Sequence, residues 1–263
     1  MITKKKYSTD MIIAKKSLGQ NFLINPGILN KIINASDLVK SDVVLEIGPG
    51  NGVLTEELRK KAHRVIAIEK DHRLIDGLKN TFRESGNVEI VEGDILKLDP
   101  HSVIHGPYKI VANIPYYITS YLLKTIFESA NWRMAQPELI VLMVQKEVAQ
   151  RIIARPPKMN LLALSVQFFA KPKIISYVSK GSFRPIPKVD SAIIKLTPRR
   201  ESRIMNYELR GRFFKLAKTA FAGKRKQLKN TIGPKTLEKT DIKPESRPEE
   251  LSLEDWLKIS SKV

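Results

Sequence analysis

Asn113-Ile114-Pro115-Tyr116 is where this 263-residue sequence offers chemistry. The run ahead of it, Lys109-Ile110-Val111-Ala112, is apolar and β-branched and reads as a buried strand. Proline and two aromatics cannot continue a central strand. The tetrapeptide therefore falls just past a strand's carboxyl end, where open α/β sheets keep their ligand crevice. The Asn113 carboxamide oxygen accepts hydrogen bonds, as does the carbonyl just before or at Pro115. Two such acceptors can hold both protons of an exocyclic amine on a heteroaromatic ring and aim its lone pair at an electrophile. That is positioning and electrostatics, not strong-base catalysis. Tyr116 offers a flat face for the base. The alternative for the same residues is an Asx-type turn with Tyr116 as packing.

These residues need a sheet behind them and a pocket beside them. Asp42-Val43-Val44-Leu45-Glu46-Ile47 reads as a buried strand running into the turn Gly48-Pro49-Gly50-Asn51-Gly52, with a helix from Val53. Glycine permits close backbone approach and positive φ. The helix N-terminus presents free N–H groups. The spacing is G-x-G-x-G; a dinucleotide fingerprint wants its third glycine one place later, where Val53 stands. Glu46 is placed to meet a cationic ligand or to fix the turn. The next strand, Arg64 to Ile68, ends in Glu69, 21 residues after Gly48, near the distance of a ribose-binding carboxylate. A third strand, Val88 to Glu92, leads to Gly93-Asp94.

Strands alternate with helices, which predicts a parallel, doubly wound sheet. A fifth strand spans Glu138 to Val144, and the helix after it begins at Gln145. Leu161 to Phe169 reads as a buried helix with Phe168 and Phe169 in the core. Lys173 to Val178 and Ser191 to Leu196 read as two closing strands around a proline-stiffened loop. Asn206 to Ile232 is a long helical pattern, with Leu209, Phe213, Leu216, Ala217 and Ala220 on its apolar side and Gly223 separating two helices.

Hydrophobic residues make up 42% and charged residues 28%, as in a globular domain. The absence of cysteine excludes disulfides, thiolate catalysis and cysteine-ligated zinc. The four histidines lack ligand spacing, so no metal is expected. Net charge is +19, and it is clustered: +5 over residues 1–40 and +10 over residues 199–235. Clustered cations are the footprint of a polyanion, most simply nucleic acid. No long apolar segment, lipidation signal or secretory h-region is present, so no membrane partner is expected and the cytoplasm is the expected location.

Asn113-Ile114-Pro115-Tyr116 resembles the active-site motif of S-adenosylmethionine-dependent adenine N6-methyltransferases. From Ser17 to about Trp256 the chain resembles the ribosomal RNA adenine N6,N6-dimethyltransferases in several separate motifs. Gln20-Asn21-Phe22 is similar to the family's first cofactor-contacting motif, where the polar side chains and the Leu23 backbone line the methionine end. The residue matching Asp94 contacts the cofactor adenine there. Phe183-Arg184-Pro185-Ile186-Pro187-Lys188-Val189-Asp190-Ser191 resembles a loop whose phenylalanine faces the target base opposite the motif tyrosine. Lys224-Arg225-Lys226 resembles the start of the family's small helical domain, and Arg247 to Leu257 its closing helix.

The resemblance implies a Rossmann-like S-adenosylmethionine-dependent methyltransferase sheet with helices on both faces over residues 1–197. A small all-α RNA-binding domain would follow over residues 198–263. It implies catalysis by Asn113, Pro115, Tyr116 and Phe183. Cofactor contacts would come from Gln20, Asn21, Leu23, Gly48, Gly50, Glu69, Asp94 and Asn113, and RNA contacts from Lys224, Arg225 and Lys226. The implied reaction is dimethylation of N6 on two adjacent adenosines near the 3′ end of small-subunit ribosomal RNA, by a monomer active in subunit biogenesis. Three alternatives stay open. One is large-subunit methylation of the resistance type. Another is a mainly non-catalytic assembly factor. The third, on the nucleotide-binding half alone, is a nicotinamide dehydrogenase.

Overall fold

The computed structural model describes residues 19–199, 207–223 and 225–262. The basic arm ahead of Gly19, Ser17 included, and Lys224 lie outside the described residues. Packing divides the chain into two units. One takes residues up to Lys146 together with Ile174–Leu196; the other takes Glu147–Lys173 with residues from Thr197 onward. The sequence places one boundary at 197/198 with residues 147–173 in the first domain; packing instead groups residues 147–173 with those from Thr197 onward.

The first unit is built on a seven-stranded sheet. Its elements are β1 (Phe22–Leu23), α1 (Pro26–Ala35), β2 (Val43–Ile47), α2 (Val53–Arg59), β3 (Arg64–Glu69), α3 (His72–Phe82), β4 (Val88–Glu92), β5 (Lys109–Asn113), α4 (Thr119–Glu128), α5 (Ala130–Met134) and β6 (Leu139–Gln145). After α6 (Lys146–Ile152) and α7 (Leu161–Phe169), β7 (Ala170–Val178), β8 (Phe183–Arg184) and β9 (Ser191–Pro198) complete it. The strand order is β4-β3-β2-β5-β6-β9-β7. Strands β4, β3, β2, β5 and β6 run parallel, as the alternation of strand and helix requires. Strand β9 pairs antiparallel with β6, so the sheet is mixed rather than wholly parallel.

Side chains make these choices legible. Val44, Leu45, Ile110, Val111, Ile140 and Val141 are fully buried, as strands covered on both faces demand. Helix α1 starts where Asn25 Oδ1 accepts from the N–H groups of Gly27 and Ile28, at 3.0 and 3.3 Å. Its Ile28, Leu29, Ile32 and Ile33 are buried in one cluster with Leu23, Val111, Met143, Phe183 and Ile193. Strands β1 and β8 form a separate antiparallel pair with Leu23 opposite Phe183. Ile24 N–H donates to Ser182 O at 2.9 Å and so extends that clip. The segment beginning at Gly19 is thereby tied to the proline loop.

In the second unit Phe168 stands 4.6 Å from Phe213 between ring centroids, and Phe169 stacks on Phe214 at 5.7 Å. These rings explain why the segment holding α7 belongs with α8 (Tyr207–Ala222). Helix α8 buries Phe213, Ala217 and Ala220 and stops before Gly223, where an added Cβ would lie 2.9 Å from Thr231 Cγ2. A short helix α9 (Pro234–Leu237) follows. Helix α10 (Leu253–Ser261) opens on a reciprocal cap: Ser252 Oγ accepts from Asp255 N–H, and Asp255 Oδ2 accepts from Ser252 N–H.

Candidate active site

The carboxyl ends of β2, β3 and β5 open on one cleft of the first unit, about 1080 Å³ with its open mouth included. The glycine turn forms its floor. Gly48, Gly50 and Gly52 all take positive φ, at 67°, 59° and 78°. An alanine at Gly50 would bring its Cβ within 3.0 Å of the Phe22 ring, so the turn and the N-terminal segment close on each other only because a side chain is missing there.

Glu69 ends β3 and is almost wholly buried. Its carboxylate accepts from Gly50 N–H at 3.1 Å and from Asp71 N–H at 2.9 Å, which fixes the glycine turn to the next strand. Burial raises its pKa against the pull of those N–H groups. Glu46 lies deeper. Burial pushes its carboxyl up to about 8, helped by the neighbouring Glu69 charge and opposed by the Thr55 hydroxyl. Its Oε2 is buried and has no hydrogen-bond partner. On the far wall Asp94 accepts from Lys70 Nζ at 2.8 Å and from Leu96 N–H at 3.1 Å. Burial works against its charge, but these donors outweigh it and hold the pKa below the ordinary value.

Asn113 is the last residue of β5 and faces this cleft. Its Nδ2 donates to Asn21 O at 3.1 Å, and Asn21 Nδ2 donates to Gly19 O at 3.0 Å. The amide is thus fixed by its nitrogen, and Oδ1 has no partner among the described residues. Pro115 O accepts from Ile118 N–H at 3.2 Å, closing a 3₁₀ turn over Tyr116–Ile118. Tyr116 OH lies 2.6 Å from Ser191 Oγ, a hydroxyl buried at the start of β9. Burial raises the Tyr116 pKa against that hydrogen bond, and the Asp190 charge adds to the rise.

Gln20, Asn21, Leu23, Gly48, Gly50, Glu69, Asp94, Asn113, Pro115 and Tyr116 all line the cleft. Gln20 reaches the wall through Asp71, to whose Oδ2 its Nε2 donates at 2.8 Å. Phe183 does not join them. Its ring is 0% exposed and belongs to the core cluster with Leu23, Val111, Met143 and Ile193. The pairing of β1 with β8 turns Phe183 inward and leaves Arg184 exposed, so that ring is not among the residues lining the cleft. Arg225 and Lys226 are exposed in the second unit.

Sequence reading missed two features. Gln145 was expected to start a helix; it ends β6 instead, and α6 starts at Lys146. A polar amide just after an apolar strand is the signal that marked Asn113, and it was equally present here. Ser191 closes the proline-loop motif, but its pairing with Tyr116 carried no signal, because nothing local relates residue 191 to residue 116.

A model of the ribosomal RNA adenine dimethylase family matches residues 11–263. The chain is 44% identical over 258 residues to a ribosomal RNA small subunit methyltransferase A of Dehalococcoides mccartyi, with 94% of this chain and 87% of that one covered. It is 38% identical over 280 residues to the protein of the same name from Levilactobacillus brevis, covering 98% and 93%. Among solved structures it is similar to a dimethyladenosine transferase from Plasmodium falciparum, at 31% identity and a TM-score of 0.75 over 90% of this chain and 95% of that one. It is also similar to the 23S rRNA methyltransferase ErmE, at 26% identity and a TM-score of 0.76 over 92% and 99%.

Proposed function

This chain belongs to the ribosomal RNA adenine dimethylase family, and from that premise we propose that it methylates N6 of two adjacent adenosines near the 3′ end of small-subunit ribosomal RNA, twice per base. The methyl donor is S-adenosylmethionine, which when bound supplies a methyl group made electrophilic by its sulfonium. The cleft suits that donor. Three acidic side chains line it, Glu46, Glu69 and Asp94, with Asp94 held in its charged form, and the ligand is cationic at its methionine end. Glu46 holds a buried oxygen without a partner, and the missing side chain at Gly50 lets the backbone approach closely. Gln20, Asn21, Leu23, Gly48 and Gly50 would hold the methionine end, Glu69 the ribose and Asp94 the adenine.

The observation that carries the reading is the Asn113 amide. With Nδ2 committed to Asn21 O, the free Oδ1 is oriented as an acceptor before any substrate arrives. The second acceptor is the backbone carbonyl at Pro115 or the one just before it; Pro115 O accepts once from Ile118 N–H and keeps a second lone pair. Together they orient an amine whose base lies against Tyr116. The target base must leave its stack to get there. Exposed cations of the second unit, Lys215, Lys218, Arg225 and Lys226, would meet the phosphates. In this reading residues 1–197 carry the cofactor chemistry and residues 198–263 grip the RNA. The protein works as a monomer in the cytoplasm, where subunits are assembled; among the described residues no helix is long and apolar enough to cross a membrane.

Asn113→Ala tests the reading. Radiolabelled methyl transfer to undermethylated small subunits should fall at least ~100-fold, the size of effect seen when one preorganised polar group is removed. Cofactor affinity by calorimetry should change only a few-fold. Turnover like the wild type would defeat the assignment. Primer-extension stops on both subunits' RNA would separate the small-subunit target from a large-subunit one.

A further inference from the structure

A second groove adjoins the cleft. Gly19, Gln20, Asn21 and Tyr116 line both; the groove's other side is Gln145 and the turn Ile186–Val189. The sheet register places Gln145 with respect to the chemistry. Asn113 pairs with Met143 across β5 and β6, and Ser191 pairs with Gln145 across β9 and β6. Side chains alternate along a strand, so residues two apart share a face and partners in register share it too. Asn113, Gln145 and Ser191 therefore stand on one face of the sheet, at the carboxyl ends of β5 and β6 and the start of β9. Gln145 lies one strand over from Asn113 and roughly 7 Å further along, at about 3.3 Å per residue.

Each neighbour in this row already has a task. Asn113 is pinned by Asn21, and Ser191 holds the Tyr116 hydroxyl. The Gln145 carboxamide is half-buried and has no hydrogen-bond partner among the described residues. Leaving an amide half-desolvated and unpaired costs free energy unless a ligand completes it. Across the groove Ile186 and Val189 are exposed, at 56% and 40%, although both are apolar. They give the groove that Tyr116 also lines an apolar side.

We propose that Gln145 reads the edge of the target adenine: its Nε2–H donates to the ring nitrogen beside the amine, N1 or N7, while the base lies between Tyr116 and the Ile186–Val189 turn. This rests on the assignment of Asn113 to the amine. Adenine pairs an exocyclic N–H₂ with a ring-nitrogen acceptor, and an amide donor matches that acceptor. Guanine puts a carbonyl where adenine has the amine, so one acceptor would face another, guanine O6 against Asn113 Oδ1. One polar pair at a base edge discriminates by about 10- to 100-fold.

The test uses the full chain and small subunits rebuilt around ribosomal RNA that carries adenosine, 1-deazaadenosine or 7-deazaadenosine at the target positions. Gln145→Leu should lower kcat/KM on the adenosine substrate by about 10- to 100-fold, with S-adenosylmethionine affinity unchanged. One deaza substrate should cost the wild type the same factor, and Gln145→Leu should cost nothing further on it. Gln145→Glu keeps the size but has no N–H to donate; with an unchanged melting midpoint it should show the same loss. Additive losses on both deaza substrates, or wild-type kcat/KM in either folded variant, would overturn the proposal. A wild-type chain that methylates no adenosine substrate would bring down the methyl-transfer reading, and this proposal with it.

Discussion

At the scale of single residues, the cleft is governed by which polar atoms are already spent. Asn113 Nδ2, both Glu69 oxygens and both Asp94 oxygens have partners within the protein, while Asn113 Oδ1 and Glu46 Oε2 do not. Glu46 has a measurable consequence. Its folded pKa of about 8 stands above the ordinary 4.5. Between those values the native chain keeps a proton that the unfolded chain gives up. Stability therefore falls as pH rises from about 4.5 to about 8 and levels off beyond, because fewer protons are bound in the unfolded state. Glu69 adds to the fall in the same direction. Glu46→Gln has no proton to lose at that site. Urea midpoints on either side of the window should show the variant gaining on the wild type as pH rises; parallel curves would mean that Glu46 is ionised in the folded protein.

At the scale of elements, the site depends on how strands hand over to turns. Strand β2 must stop, reverse and start α2 within five residues, and this needs three glycines of positive φ. Gly52 is the strictest of them. Its φ is +78°, and an added Cβ would lie 2.9 Å from Phe82 Cε2 and 3.2 Å from Leu78 Cδ2, both in the cluster between α3 and β4. Left-handed strain of about 1–2 kcal/mol and overpacking of about 1–3 kcal/mol both oppose alanine. Gly52→Ala should cost about 3 kcal/mol by urea denaturation, whereas Gly77→Ala, where nothing lies within 4 Å, should cost little or stabilise α3. The β1–β8 clip is the other element that matters. It ties the Gly19–Leu23 segment to the proline loop, and in doing so it decides that Phe183 is core and that Ile186 and Val189 face outward.

For the molecule as a whole, charge governs how RNA is met. The excess of +10 over residues 199–235 includes Lys215 and Lys218, both exposed on α8. Each phosphate contact adds roughly 0.7–0.9 to the slope of log affinity against log salt. Replacing both lysines by alanine should flatten that slope by about 1.5 in filter-binding titrations against small-subunit RNA. The target site should stay unchanged, since phosphate contacts position and do not specify. An unaltered slope would remove α8 from the interface. Local sequence determined much of this protein. Runs of apolar residues located the strands, three glycines the turn, and the polar or aromatic residues at or just past strand ends Glu69, Asp94, Asn113 and Tyr116. These are effects of neighbours within a few positions, so a sequence carries them. Only the tertiary structure decided that residues 147–173 pack with the C-terminal helices, that Ser191 holds Tyr116, that Gln145 shares a sheet face with Asn113 and that Phe183 is buried. Each of these joins residues far apart in the chain, and register, strand pairing and ring packing are fixed only when distant segments meet.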